Sequence, residues 1–115
     1  MQPINKDAVQ KRLESFFQQT VYVHLETTNG AYAAHFNDQI INVGAFIRNA
    51  AVNVKQGKIT GEGPFRVGLE LELGWVYAEG LTDWELDDKG RLLLAGHNRD
   101  GQLAVALQIS EKPFV

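Results

Sequence analysis

From Thr20 onward the chain is cut into short runs of alternating apolar and polar residues, each closed by a turn-forming pair or a glycine. Val21, Val23 and Leu25 alternate with Tyr22, His24 and Glu26, the period of a half-buried strand. Asn29-Gly30 follows, and both of these residues tolerate the positive φ that a two-residue hairpin turn demands. Further strands are expected near Ile40–Arg48, Ala50–Gln56, Arg66–Leu73, Trp75–Gly80, Arg91–Gly96 and Gln102–Ser110. Gly57, Gly74, Asp88-Lys89-Gly90 and Asp100-Gly101 supply the turns between them. Strands this short and this closely spaced fit an all-β sandwich or a small barrel.

One segment has a different period. Val9, Leu13, Phe16 and Phe17 follow i, i+4, i+7, i+8, one buried stripe of a helix over Lys6 to Gln18. Asn5 is placed to cap it and Asp7 to complement its dipole. This helix is expected to plug one end of the β structure or cover one face. With no linker, low-complexity tract or internal repeat, residues 1–115 read as a single domain.

Composition excludes several chemistries. There is no cysteine, so disulfides, thiolate ligands and a thiol nucleophile are all absent, which suits a reducing compartment. A net charge of −3 argues against a nucleic-acid binder. The segment MQPINKD lacks the pattern of a secretory signal, and no apolar run approaches the ~20 residues that cross a bilayer. The expectation is a soluble cytoplasmic protein with no membrane partner. Charge is uneven: Arg48, Lys55, Lys58 and Arg66 dominate one stretch, and Glu70, Glu72, Glu79, Asp83, Glu85, Asp87 and Asp88 the next. Such asymmetry can orient self-association or a partner.

Two faces carry candidate chemistry. A two-residue turn at Asn29-Gly30 would set His24 opposite His35, with Glu26 beside them. Directly paired Cβ atoms lie about 5 Å apart, so His24, His35 and Glu26 could hold one divalent metal such as zinc. A one-residue register shift would end that arrangement. In the last hairpin Leu103, Val105, Leu107 and Ile109 make a core face, while Gln102, Ala104, Ala106 and Gln108 share the other with His97. An alanine-lined face with a histidine at its rim suits a shallow pocket or a subunit contact. Around ELELGWVYAEG, a turn at Leu73-Gly74 gives Leu69, Leu71, Val76 and Ala78 to the core. Glu70, Glu72, Trp75, Tyr77 and Glu79 then face outward. Aromatic rings beside carboxylates can hold a cation or the apolar face of a sugar; the same surface can pack against a second subunit.

Other motifs fail on inspection. TGEGPFRVG resembles a glycine-rich phosphate loop, but Arg66 stands where the last glycine belongs and no helix follows. Gly61, Gly63 and Pro64 read as a bend or bulge. Neither Ser15 nor Ser110 lies in a G-x-S-x-G elbow, so a serine hydrolase is not expected.

Taken together, HLETTNG with Tyr32 and Ala34-His35, Ile47-Arg48-Asn49-Ala50, Gly63-Pro64 with Arg66-Val67-Gly68-Leu69, GWVYAEGLT, Ala95-Gly96-His97 and QISEKPF resemble the YojF-like family of small proteins from bacilli and relatives. The resemblance implies a compact, mainly β protein of complex barrel- or sandwich-like topology. It carries over no activity and no catalytic residue. It also implies a neighbourhood: genes of this family often lie beside one for a zinc-dependent deacetylase of the kind that makes bacillithiol, a low-molecular-weight thiol.

Two functional expectations result. The first is a non-catalytic accessory or small-ligand-binding protein that self-associates, needs no cofactor and contacts a partner deacetylase, with His24, His35, His97, Trp75, Tyr77 and Glu79 at its ligand or subunit surface. The second is a metal-dependent hydrolase built on His24, His35 and Glu26, with a bound water as nucleophile.

Overall fold

The computed structural model describes residues 1–28 and 44–115. Among these, one helix, α1 (Lys6–Glu14), accompanies eight strands. The strands are β1 (Gln2–Pro3), β2 (Thr20–Thr28), β3 (Gly44–Gly61), β4 (Phe65–Leu71), β5 (Trp75–Leu81), β6 (Asp83–Leu86), β7 (Leu92–His97) and β8 (Leu103–Ser110). They form one antiparallel sheet in the order β1-β6-β7-β8-β2-β3-β4-β5, curled into a half-barrel. The mainly β architecture with a single N-terminal helix is the one the alternation implies.

The curl is made in β3. Its first half pairs with β2, from Thr28↔Gly44 to Thr20↔Asn53, and its second half with β4, from Val54↔Leu71 to Gly61↔Phe65. Bulges mark both halves. His24 faces two residues, Arg48 and Asn49, because Val23 pairs with Ala50 but Leu25 with Ile47. Lys55 is the extra residue between the Val54 and Gln56 pairs. Each bulge bends the strand and adds twist, so one 18-residue strand serves two walls. Alternation alone splits this strand at Asn49. The break is a bulge residue at φ 57, not a turn.

Val9, Leu13 and Phe16 of the helical stripe are buried on the concave side against Val21, Val23, Leu69, Leu94 and Leu107. Asn5 caps α1 as expected, its Oδ1 accepting from the Ala8 N–H at 3.0 Å. The helix ends at Glu14, not Gln18: the last turn tightens, with the Ser15 N–H shared between Lys11 and Arg12 carbonyls, and Gln18 turns left-handed at φ 63.

Among the described residues no strand pairs with the second half of β3 on its β2 side, and α1 contacts that edge. The Gln10 carboxamide acts as a surrogate strand: Nε2 donates to the Gly57 carbonyl at 3.1 Å while Oε1 accepts from the Ile59 N–H at 2.9 Å. The Gln18 N–H donates to the Val54 carbonyl at 2.8 Å, and Lys6 Nζ reaches the Gly61 carbonyl at 2.8 Å. Backbone groups along this strand edge are thereby satisfied by side chains and backbone of the N-terminal segment.

Two register details depart from the expected pairing. The β4–β5 hairpin pairs Glu70 with Trp75 and Leu69 with Val76, two residues away from a turn at Leu73-Gly74. Because side chains alternate with period two, a slip of two leaves every residue on its expected face. In β8, by contrast, a bulge between the Gly96↔Val105 and His97↔Leu103 pairs takes Leu103 off the core face and leaves it 38% exposed. Strand β6 is not signalled by the alternation either, since its four residues DWEL are short and half polar.

The turn after β6 is held by Asp87. Its Oδ1 accepts from the Lys89 and Arg91 N–H groups at 3.0 and 2.8 Å, and Oδ2 pairs with Arg91 Nε at 2.6 Å. Burial alone would raise the carboxyl, but these hydrogen bonds override it and hold Asp87 below the usual aspartate range. Asp83 lies low as well, chiefly through the Thr82 hydroxyl and then through His97. A depressed carboxylate stabilises the fold above its unfolded value near ~4, and that stability is lost as pH falls through the native value. Asp87→Asn keeps the backbone contacts and loses the ion pair. Chemical denaturation should show it about 1–2 kcal/mol less stable at pH 7, with the difference closing as pH falls through the depressed native value of the Asp87 carboxyl.

Candidate functional site

The outer faces of β3, β4 and β5 form a tier of three cross-strand rows. Gln56, Glu70 and Trp75 make the first, Lys58, Gly68 and Tyr77 the second, and Thr60, Arg66 and Glu79 the third. Trp75 and Tyr77 lie parallel, ring centroids 5.5 Å apart and planes 6° from coplanar. They are 51% and 45% exposed. Tyr77 lies flat because its cross-strand partner is glycine: a Cβ on Gly68 would stand 2.8 Å from Tyr77 Cε1. Arg66 stacks its guanidinium 4.2 Å over the same ring and reaches Glu79 Oε1 at 3.5 Å. Both charges are exposed, so that pair orients the ring more than it stabilises the fold.

Helix α1 supplies the opposite wall. Gln10, Glu14 and Phe17 face Lys58, Gly68, Trp75 and Tyr77 across a cleft of about 530 Å³. That volume falls within the range of roughly 300–1,000 Å³ typical of small-ligand pockets. Its polar groups are of mixed type: amides, a carboxylate, an ammonium and the Thr60 hydroxyl. Gln56 Nε2 already donates to Glu70 Oε1 at 2.6 Å, which fixes the amide at the cleft edge. The cleft has a stacked aromatic wall and a polar rim.

The histidines lie elsewhere. His24 is 9% exposed on the outer face of β2, opposite Gln108 of β8. Its Nε2 is 3.4 Å from Glu26 Oε2 and its Nδ1 is 3.4 Å from Arg48 Nη1. An arginine can only donate and a carboxylate only accept, so these contacts select the tautomer protonated at Nε2. His35 and the Asn29-Gly30 turn lie outside the described residues. At His24, β2 is flanked by β8 on one side and the Arg48–Asn49 bulge on the other. A cation beside His24 and Glu26 would also meet the Arg48 guanidinium, which opposes the arrangement expected from sequence. His97 sits on the outer face opposite Leu103, about 17 Å along β8 from Gln108. There its Nδ1 meets Asp83 Oδ2 at 2.8 Å and its N–H donates to Thr82 Oγ1 at 3.1 Å. Among the described residues no group of three His, Cys, Asp or Glu side chains is placed to hold a metal ion.

Comparison with known proteins matches residues 3–114 to the family described as "Protein of unknown function (DUF1806)". This chain belongs to that family. It is 55% identical over 114 residues to "Uncharacterized protein YojF" of Bacillus subtilis (strain 168), covering 99% of this chain and 98% of the relative. The crystal structure of Bacillus subtilis YojF superposes with a TM-score of 0.83 at 49% identity, over 99% of this chain and 96% of that one. The half-barrel is thus a DUF1806 fold, in agreement with the YojF-like resemblance of the sequence. Among the described residues no helix is long and apolar enough to cross a membrane.

Of the expected site residues, the structure brings Trp75, Tyr77 and Glu79 together, and separately His24 with Glu26. It separates His97 from His24, placing it opposite Leu103 at the far end of β8. Sequence reasoning does not find the α1 wall of Gln10 and Glu14 or the role of Lys58. Gly68 is the available signal: a glycine at an outward position, opposite an aromatic residue, marks a place where a ring lies down.

Proposed function

We propose that this DUF1806 protein is a non-catalytic binding protein whose ligand is a small polyhydroxylated molecule with one apolar face, a sugar or sugar-like metabolite, held in the cleft between α1 and the outer sheet. The observation that carries this reading is the parallel Trp75–Tyr77 pair, half exposed and backed by Gly68 and Arg66. Such a ring stack takes the C–H face of a sugar, while Gln10, Gln56, Glu14 and Lys58 offer donors and acceptors at hydroxyl height. The neighbourhood implied by the YojF-like resemblance supports an accessory place beside a cytoplasmic deacetylase of low-molecular-weight thiol metabolism. Co-purification with that enzyme, or an effect on its turnover, checks the accessory role.

Intrinsic fluorescence tests the ligand. The chain has two tryptophans, so Trp84→Phe leaves Trp75 as the only indole reporter. Titration with simple glycosides and their amino and N-acetyl derivatives should give a saturable change. In the otherwise native protein, isothermal titration should show that Trp75→Ala weakens binding about 30-fold, the loss of roughly 2 kcal/mol expected for an aromatic anchor. No saturable response to any of these sugars at millimolar concentration would refute the reading.

A further inference from the structure

Beyond β8 the chain turns back over the outer face, and its penultimate residue is held as a ligand is held. Phe114 is 6% exposed. One side chain reads both of its backbone groups: Asn49 Nδ2 donates to the Phe114 carbonyl at 2.8 Å, and Asn49 Oδ1 accepts from the Phe114 N–H at 2.6 Å. Two antiparallel bonds to one residue are what a neighbouring strand would supply. The ring lies between two guanidinium groups, Arg48 at 4.8 Å and Arg91 at 5.6 Å, with the edge of His24 at 6.5 Å. Asn49 is aimed by the β3 bulge, in a left-handed conformation (φ 57) that asparagine tolerates better than most residues. Arg91 is fixed by Asp87, and Arg48 sits against His24. Every wall of the pocket is therefore positioned by contacts that do not involve the tail.

We propose that Asn49, Arg48, Arg91 and His24 form a recognition site for an extended peptide bearing an aromatic residue. The chain's own Phe114 fills it in cis, and once that residue is removed the same tail sequence supplied by a second chain fills it in trans. Main-chain pairing gives the site its affinity for any extended residue. The cationic walls give its preference for an aromatic one, through attraction between guanidinium and the ring face. Only residues 111–113 separate Phe114 from the end of β8, so the tethered tail competes at an effective concentration in the millimolar range and masks the site in the intact protein. This inference does not depend on the sugar-binding cleft, which is lined by α1, the second half of β3, β4 and β5, whereas Arg48 and Asn49 lie in the first half of β3.

The test uses full-length Phe114→Ala and a synthetic peptide of residues 111–115, EKPFV. Isothermal titration should show one-to-one binding of EKPFV to the variant, at least about tenfold weaker binding of EKPAV, and no binding of either to the intact protein. Adding Asn49→Ala to the variant should abolish binding. If Phe114→Ala does not fold alone, EKPFV should restore its circular dichroism and raise Tm with peptide concentration, and EKPAV should not. The proposal is overturned by a folded variant that ignores EKPFV at millimolar concentration, by equal binding of the two peptides, or by an unfolded variant that EKPFV fails to rescue.

Discussion

Gly96→Val should lower stability by about 3 kcal/mol or more, a fall in Tm on the order of 15 °C, or prevent folding altogether. Gly96 lies in β7 at the point where β5 curls back over the sheet. A Cβ there would overlap the Gly80 carbonyl oxygen and stand 2.9 Å from the Gly80 carbonyl carbon and 2.6 Å from Val105 Cγ1. Gly80 is backbone, so relief requires β5 to move away from β7 and β8. That movement opens the half-barrel and exposes Ala78, Leu81 and Leu107, which are now buried. Gly74→Ala is the matched control. Its surroundings are open, and only its φ of 99 opposes a side chain, so it should cost about 1–2 kcal/mol. Thermal unfolding of the two variants side by side checks the claim. Equal small losses would mean that β5 and β7 are not in close contact.

Phe16→Ala should cost about 3–5 kcal/mol, read by urea denaturation. Phe16 is 1% exposed and fills the concave core beside Val9 and Leu13. Its ring also carries Arg12, whose guanidinium lies 4.3 Å above the centroid and donates to the Gly90 carbonyl. Truncation therefore leaves a cavity and loosens the arginine that joins α1 to the β6–β7 turn. Because α1 is one wall of the aromatic cleft, the same variant should weaken sugar binding even where it remains folded. A variant that loses stability with unchanged affinity would show that the cleft does not depend on the seating of the helix.

The outward pair Trp75 and Tyr77 is legible in the amino-acid sequence. Alternation alone assigns both to one face, and that assignment holds in a hairpin whose register is two residues from the one expected. Leu103 shows the opposite case. A single bulge, invisible in an alternating run, moves it from the core face to the surface. The histidines show a third. His24 reads equally well as the partner of a strand on either side, and local sequence has no means to choose among candidates. The structure gives it Gln108 on one side and Arg48 with Asn49 on the other.

What the sequence determined by itself was local: the period-two strands, the stripe of Val9, Leu13 and Phe16, the Asn5 cap, and the outward face of the aromatic residues. These follow from backbone geometry within a few residues, where side-chain direction is set by position in the helix or strand. Only the tertiary structure decided which strands neighbour one another, where β3 changes partner, and how closely Gly96 meets Gly80. It also decided that Gln10 and Asn49 would each stand in for a strand, Gln10 along the open edge of β3 and Asn49 on the tail at Phe114. A ladder partner is chosen among distant segments by which packing buries the most apolar surface while leaving no backbone group unsatisfied, and that choice is made by the whole chain at once.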